Sequence, residues 1–176
     1  MRIIGGRWRR RTITFPSAAG LRPTPDRVRE TLFNWLGQDL DGKVCLDLFA
    51  GSGALGFEAL SRGAAAVVMV EGDSRVLQAL RANAAMLGAQ NLELHGADGV
   101  QFLRQERRVY DVIFLDPPYG LEYLPRLLPL VPPRLAPEGV VYVESGKALE
   151  LGPEWAEWRS GRAGQVHFHL LKRVPC

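Results

Sequence analysis

Between residues 43 and 145, short unbroken apolar runs alternate with amphipathic stretches, and this alternation narrows the possible folds more than any other feature of the chain. The apolar runs at 44–49, 66–71, 92–95, 109–115 and 139–144 read as strands. The stretches at 54–62, 73–87, 99–107 and 123–130 read as helices, the first two ended by Gly63 and Gly88. Strands that are apolar on both faces and separated by helices belong to a mostly parallel sheet covered on both sides. The expected fold is therefore α/β and Rossmann-like, with a mostly parallel central sheet and helices on both faces. Residues 165–171 alternate in polarity and suit a last, edge-type strand.

Residues 1–40 have a different character. A Gly5-Gly6 turn signal separates Arg2-Ile3-Ile4 from Arg11-Thr12-Ile13-Thr14-Phe15, which predicts an N-terminal β-hairpin extension. A helix should follow, capped by Thr24, with Pro25 in its first turn, Val28, Leu32, Trp35 and Leu36 at helical spacing, and Gly37 as its stop. Charge separates the two parts as well. Residues 1–29 hold eight arginines against the single acid Asp26, a net +7, while the remainder holds 14 basic and 18 acidic groups, a net −4. Such a split suggests a basic arm that meets a polyanion, attached to a body with another task. The expected division falls near residue 40, with 1–40 as the basic arm and 41–176 as the body. Within the arm, Arg7, Trp8, Arg9, Arg10 and Arg11 combine cations for phosphates with a ring able to stack on a base; a solvated hairpin face would carry the same arginines.

At 176 residues the chain suits one core of ordinary size, burying roughly 70% of the unfolded surface. No apolar run approaches the ~18 residues of a membrane span, and residues 1–7 lack the hydrophobic stretch of a signal peptide, so a cytoplasmic, membrane-free protein is expected. Cys45 and Cys176 are the two cysteines, too few for a disulfide framework or a metal-ligand spacing, and no metal is expected.

Where the first strand turns into a helix, the chain reads Asp47-Leu48-Phe49-Ala50-Gly51-Ser52-Gly53-Ala54-Leu55-Gly56. Gly51, Gly53 and Gly56 let the backbone approach a ligand and point helix N–H groups at it. Glu71 ends the second strand, at the distance from Gly51 where a carboxylate can accept both hydroxyls of an adenosine ribose. These features alone serve a nicotinamide dinucleotide equally well. Asp47 tips the balance: a carboxylate near the end of an apolar strand is costly to bury without a partner. The ammonium group of S-adenosylmethionine would be such a partner. Asp98, in Gly96-Ala97-Asp98-Gly99, suits either the adenine amino group or a helix cap.

The fourth strand delivers Asp116-Pro117-Pro118-Tyr119 to the carboxyl end of the sheet, where open α/β sheets bind ligands. The prolines remove donors and stiffen the turn, so the Asp116 carboxylate and the Pro117 carbonyl form two fixed acceptors, matching the two protons of an exocyclic amine. Tyr119 can stack on the base that carries it. Such a site works by positioning and electrostatics and needs no strong general base; His95, His167 and His169 lie outside both motifs.

The chain resembles Class I S-adenosylmethionine-dependent methyltransferases acting on exocyclic amines, through residues 47–56 and 116–119. More narrowly, Met1-Arg2-Ile3-Ile4-Gly5-Gly6 and the segment from Arg22 to Leu36 resemble the bacterial 16S rRNA guanine-N2 methyltransferase family. The resemblance implies methylation of N2 of one guanine, number 966 in the customary count, within the small ribosomal subunit or a late assembly intermediate, by an enzyme expected to be a monomer. It also implies that Arg22, Pro23, Thr24, Arg27 and Arg29 lie beside the cofactor pocket and the RNA. The residues themselves leave other readings open: methylation of adenine N6 or another amine, an NAD(P)-dependent oxidoreductase, or a non-enzymatic RNA-binding assembly factor. The role of the C-terminal segment 147–176, with Trp155 and Trp158, is unassigned.

Overall fold

A computed structural model of the chain describes residues 1–17, 23–118 and 122–175. Seven strands form one sheet: β1 (Val44–Asp47), β2 (Ala66–Glu71), β3 (Leu92–Gly96), β4 (Tyr110–Leu115), β5 (Leu135–Ser145), β6 (Trp155–Ala163) and β7 (Val166–Arg173). Their order across the sheet is β3-β2-β1-β4-β5-β7-β6. The pairs among β1 to β5 are parallel, whereas β7 runs antiparallel to both β5 and β6. The helices are α1 (Asp26–Leu36), α2 (Ala54–Ser61), α3 (Ser74–Leu87), α4 (Gly99–Gln105) and the short α5 (Tyr123–Leu127).

Consecutive residues of each central strand go to opposite faces, which is why the strands read as unbroken apolar runs. Cys45, Val67, Met69, Val112, Phe114 and Tyr142 join one apolar cluster with residues of α1, α2 and α3. Leu46, Val68, Val70, Ile113, Leu115, Val141 and Val143 join a second cluster with residues of α4 and α5. The arm contributes Ile3, Trp8 and Ile13 to the first of these, so residues 1–40 share the core of the sheet they lie against.

Four expectations change in detail. The hairpin is irregular: Arg2 and Thr12 form a single antiparallel bridge, supported by Ile3 N–H to the Arg11 carbonyl and Ile13 N–H to the Met1 carbonyl at 2.9 and 2.8 Å. The cap position of α1 is Pro25, with no side-chain cap bond, while Thr24 is buried and its carbonyl accepts from Arg29 Nε at 3.1 Å. The strand at the tail is not an edge, because β6 pairs along its outer side. The fifth strand begins at Leu135, ahead of Gly139, with a register shift against β4.

Candidate active site

The strand register sets four carboxylates in a row along one end of the sheet. Asp47 aligns with Met69 on β2 and with Phe114 on β4, and Phe114 aligns with Tyr142 on β5. Two residues beyond Met69, Phe114 and Tyr142, on the same face by the period of two, come Glu71, Asp116 and Glu144. Glu71, Asp47, Asp116 and Glu144 thus line the carboxyl ends of four adjacent strands, on the face that carries α2 and its glycine loop. They spread along the strand ends rather than round one point, and among the described residues no three His, Cys, Asp or Glu side chains are grouped to hold a metal ion.

Burial dominates their chemistry. Asp47 is 2% exposed and its Oδ2 accepts from the Gly56 N–H at 3.0 Å. Burial pushes its pKa up to about 7, the Gly56 hydrogen bond opposing and the Glu71 charge adding to the rise. Asp116, at the end of β4, keeps some exposure while Pro117 behind it is buried. Its pKa is raised well above the usual carboxylate range, first by burial, then by the charges of Glu144 and Asp47. Glu144 is 6% exposed, and the Tyr142 hydroxyl donates to its Oε2 at 2.8 Å. The neighbours that raise Asp47 and Asp116 electrostatically are all carboxylates. A row of mutually repelling carboxylates favours a cationic ligand over an anionic one.

The glycines of this loop are demanded by the protein's own close packing. Gly53, the residue before α2, has φ 84°, a conformation that L side chains rarely adopt, and an added Cβ would come within 2.5 Å of Phe57. At Gly56 a Cβ would meet the Met69 methyl at 2.3 Å and Asp47 Oδ2 at 3.2 Å, so glycine here lets α2 seat its N–H on the Asp47 carboxylate. Glu71 Oε1 accepts from the Gly51 N–H and Oε2 from the Asp73 N–H, both at 2.9 Å, which locks the loops after β1 and β2 together. Asp98 is exposed and caps α4, accepting from the Gln101 N–H at 3.0 Å. Tyr119 and Arg22 lie outside the described residues.

The arm is held by a fully buried carboxylate that sequence reading missed. Glu58 on α2 accepts from the Ile4 and Gly5 N–H groups at 3.0 and 2.9 Å, from Arg29 Nη1 at 3.2 Å and from Arg62 Nε at 2.9 Å. Ser61, one turn on, accepts from the Trp8 N–H at 3.0 Å and donates to the Gly5 carbonyl, while its own carbonyl accepts from the Arg7 N–H. Gly6, with φ 77°, has no room for a side chain: a Cβ would lie 1.9 Å from the Ser61 carbonyl oxygen. The helix carrying the cofactor-side glycines therefore also carries the arm.

Two expected RNA contacts are corrected by this arrangement. Arg29 is 0% exposed and spends its guanidinium on the Thr24 and Arg2 carbonyls, Asp26 and Glu58, so it is an internal tie and not an RNA contact. Trp8 is 6% exposed and packs in the core beneath the Arg7 guanidinium, 4.5 Å from its ring centre, which removes it as a stacking platform. Arg7, Arg9, Arg10, Arg11 and Arg27 are exposed. Glu144 was also passed over, although its signal, a carboxylate closing an apolar strand, is the one that singled out Asp47 and Glu71. Glu58 gave no such signal, since an acid in a short helix ordinarily faces water.

Comparison with known proteins places nearly the whole chain in a family. A family model described as "Conserved hypothetical protein 95" matches residues 1–172. The chain is 44% identical to "Ribosomal RNA small subunit methyltransferase D" of Escherichia coli K12, over 98% of this chain and 90% of the relative. The protein of that name from Haemophilus influenzae is 40% identical over 98% and 93%. Among solved structures, "Putative methyltransferase yhhF from Escherichia coli" superposes with a TM-score of 0.90 at 44% identity, covering 98% of this chain and 97% of that one.

Proposed function

Because this chain belongs to the small-subunit ribosomal RNA methyltransferase D family, also described as Conserved hypothetical protein 95, we propose that it methylates the exocyclic N2 of one guanine in 16S rRNA, guanine 966. The cofactor of this reading is S-adenosylmethionine, and its substrate is the small subunit or a late assembly intermediate, in the cytoplasm. No helix among the described residues is long and apolar enough to cross a membrane. The observation that carries the reading is the row of carboxylates beside the glycine loop: Glu71, Asp47 and Asp116 suit a ligand with ribose hydroxyls and a positive charge.

The residues fit the cofactor. Glu71 faces the place of the ribose, Asp47 that of the ammonium group, with Gly51, Gly53 and Gly56 giving close approach and Asp98 at the adenine end. When bound, S-adenosylmethionine supplies a methyl group on a positively charged sulfur, so that the amine lone pair forms the N–C bond while the C–S electron pair stays on sulfur. Asp116 and the Pro117 carbonyl accept the two N2 protons and turn the nitrogen toward the methyl carbon; Tyr119 stacks on the base. The nitrogen then sheds one proton, and the Asp116 carboxylate that already accepts it is placed to take it. Orientation and fixed acceptors provide the acceleration. Arg7, Arg9, Arg10, Arg11, Arg22 and Arg27 would meet RNA phosphates, with residues 1–40 serving as the RNA-contacting part and 41–176 as the catalytic part.

The test is transfer of labelled methyl to unmodified small subunits and to protein-free rRNA, with the labelled nucleotide mapped. Label on N2 of guanine 966 is expected, and Asp116→Ala should lower the rate by ~10²-fold or more. Label on adenine N6, or undiminished transfer by the variant, would overturn the assignment.

A further inference from the structure

Glu144, 6% exposed, closes β5 beside the strand end that holds the reacting amine, and the mechanism above gives it no part. It lies on the side of Asp116 away from the glycine loop. In the order β2-β1-β4-β5 the cofactor side comprises β2 and β1, Asp116 closes β4, and Glu144 stands on β5. A base whose amine is held at Asp116 and faces the methyl donor across β1 must extend its ring toward β5. The Tyr142 hydroxyl donates to Glu144 Oε2 at 2.8 Å, which orients the carboxylate, and a carboxylate has lone pairs for about four donors. Phe168, opposite Glu144 on β7, and Phe114, whose ring centre is 6.3 Å from that of Tyr142, belong to the apolar core beneath these strand ends.

We propose that Glu144 selects the base, by accepting the N1–H of guanine while Asp116 and the Pro117 carbonyl accept the N2 protons. Guanine presents N1–H and N2–H2 side by side as contiguous donors. Adenine presents an amine beside a bare N1 acceptor, whose lone pair would face a buried carboxylate with no proton between them. Adjacent acceptors on β4 and β5 thus match the contiguous donors of guanine. This inference deepens the guanine-N2 reading and rests on it.

2-Aminopurine separates the two claims, because it keeps the exocyclic 2-amine and lacks the N1 proton. The experiment compares methyl transfer to small subunits reconstituted from rRNA bearing guanine or 2-aminopurine at the target position, by the wild type and by Glu144→Gln. The wild type should prefer guanine by ~10²-fold or more in kcat/KM, the scale on which sites built to pair with an N–H reject analogues lacking it. Glu144→Gln, whose amide can donate or accept, should narrow that preference to within about tenfold. Equal rates on both bases with the wild type would overturn the proposal even if the variant failed to fold. So would a Glu144→Gln enzyme slowed equally on both bases, the mark of a merely structural residue. Failure of the guanine-N2 reading looks different: the wild type would transfer no methyl to guanine-bearing subunits, and the inference would fall with it.

Discussion

Among individual residues, Asp47 joins stability and binding in one group. Its folded pKa of about 7 lies above the ordinary value of 3.8, so the folded state holds a proton that the unfolded chain has released. Stability must therefore fall as pH rises from about 4 to about 7, then level off, with a total of at most about 4 kcal/mol. Asp47→Asn keeps an acceptor for the Gly56 N–H and removes that penalty. The variant is expected to unfold at higher temperature than the wild type above pH 7, to lose the difference near pH 4, and to bind S-adenosylmethionine much more weakly; thermal unfolding across pH with and without cofactor measures all three. Asp47 and Asp116 were legible in the sequence because an acid that ends an apolar strand stands out against its neighbours. Trp8 and Arg29 were misread for the opposite reason. An aromatic ring among arginines, and an arginine in an amphipathic helix, look exposed until a partner such as Glu58 is brought in from a distant part of the chain.

Single elements show where local sequence is informative and where it is silent. Strands β1, β2, β4 and β5 were readable because both faces are buried. β6 is exposed along most of its length, with Gly161 near its end, so neither periodicity nor composition marked it. Its presence turns the tail strand from an edge into an inner strand. The arm's hold on α2 was likewise invisible, since it depends on Gly6 meeting the carbonyl of Ser61, a residue of a different element far along the chain. Gly6→Ala forces a clash with backbone, which cannot step aside as a side-chain tip can. The expected outcome is a protein that binds S-adenosylmethionine within a few-fold of wild type yet methylates subunits at least about tenfold more slowly, with faster proteolysis within residues 1–16. Equal loss of cofactor affinity would mean that the substitution damages α2 itself.

At the scale of the molecule, a basic arm and an acidic crevice are mounted on opposite ends of one short helix. α2 carries Gly56 in its first turn and holds the arm through Glu58 and Ser61, which ties the arginine-rich surface to the carboxylate row through one helix. The alternation of apolar runs made the parallel sheet legible, and the +7 charge of residues 1–29 made the arm legible. The meeting of Glu71, Asp47, Asp116 and Glu144 was not, because it arises from register between strands far apart in sequence. That row of carboxylates is the central claim, and isothermal titration of the full chain with S-adenosylmethionine, S-adenosylhomocysteine and NAD tests it most directly. Binding of the first two, abolished by Asp47→Ala, with no detectable binding of NAD, is the predicted result. Binding of NAD in place of either adenosyl compound would contradict it.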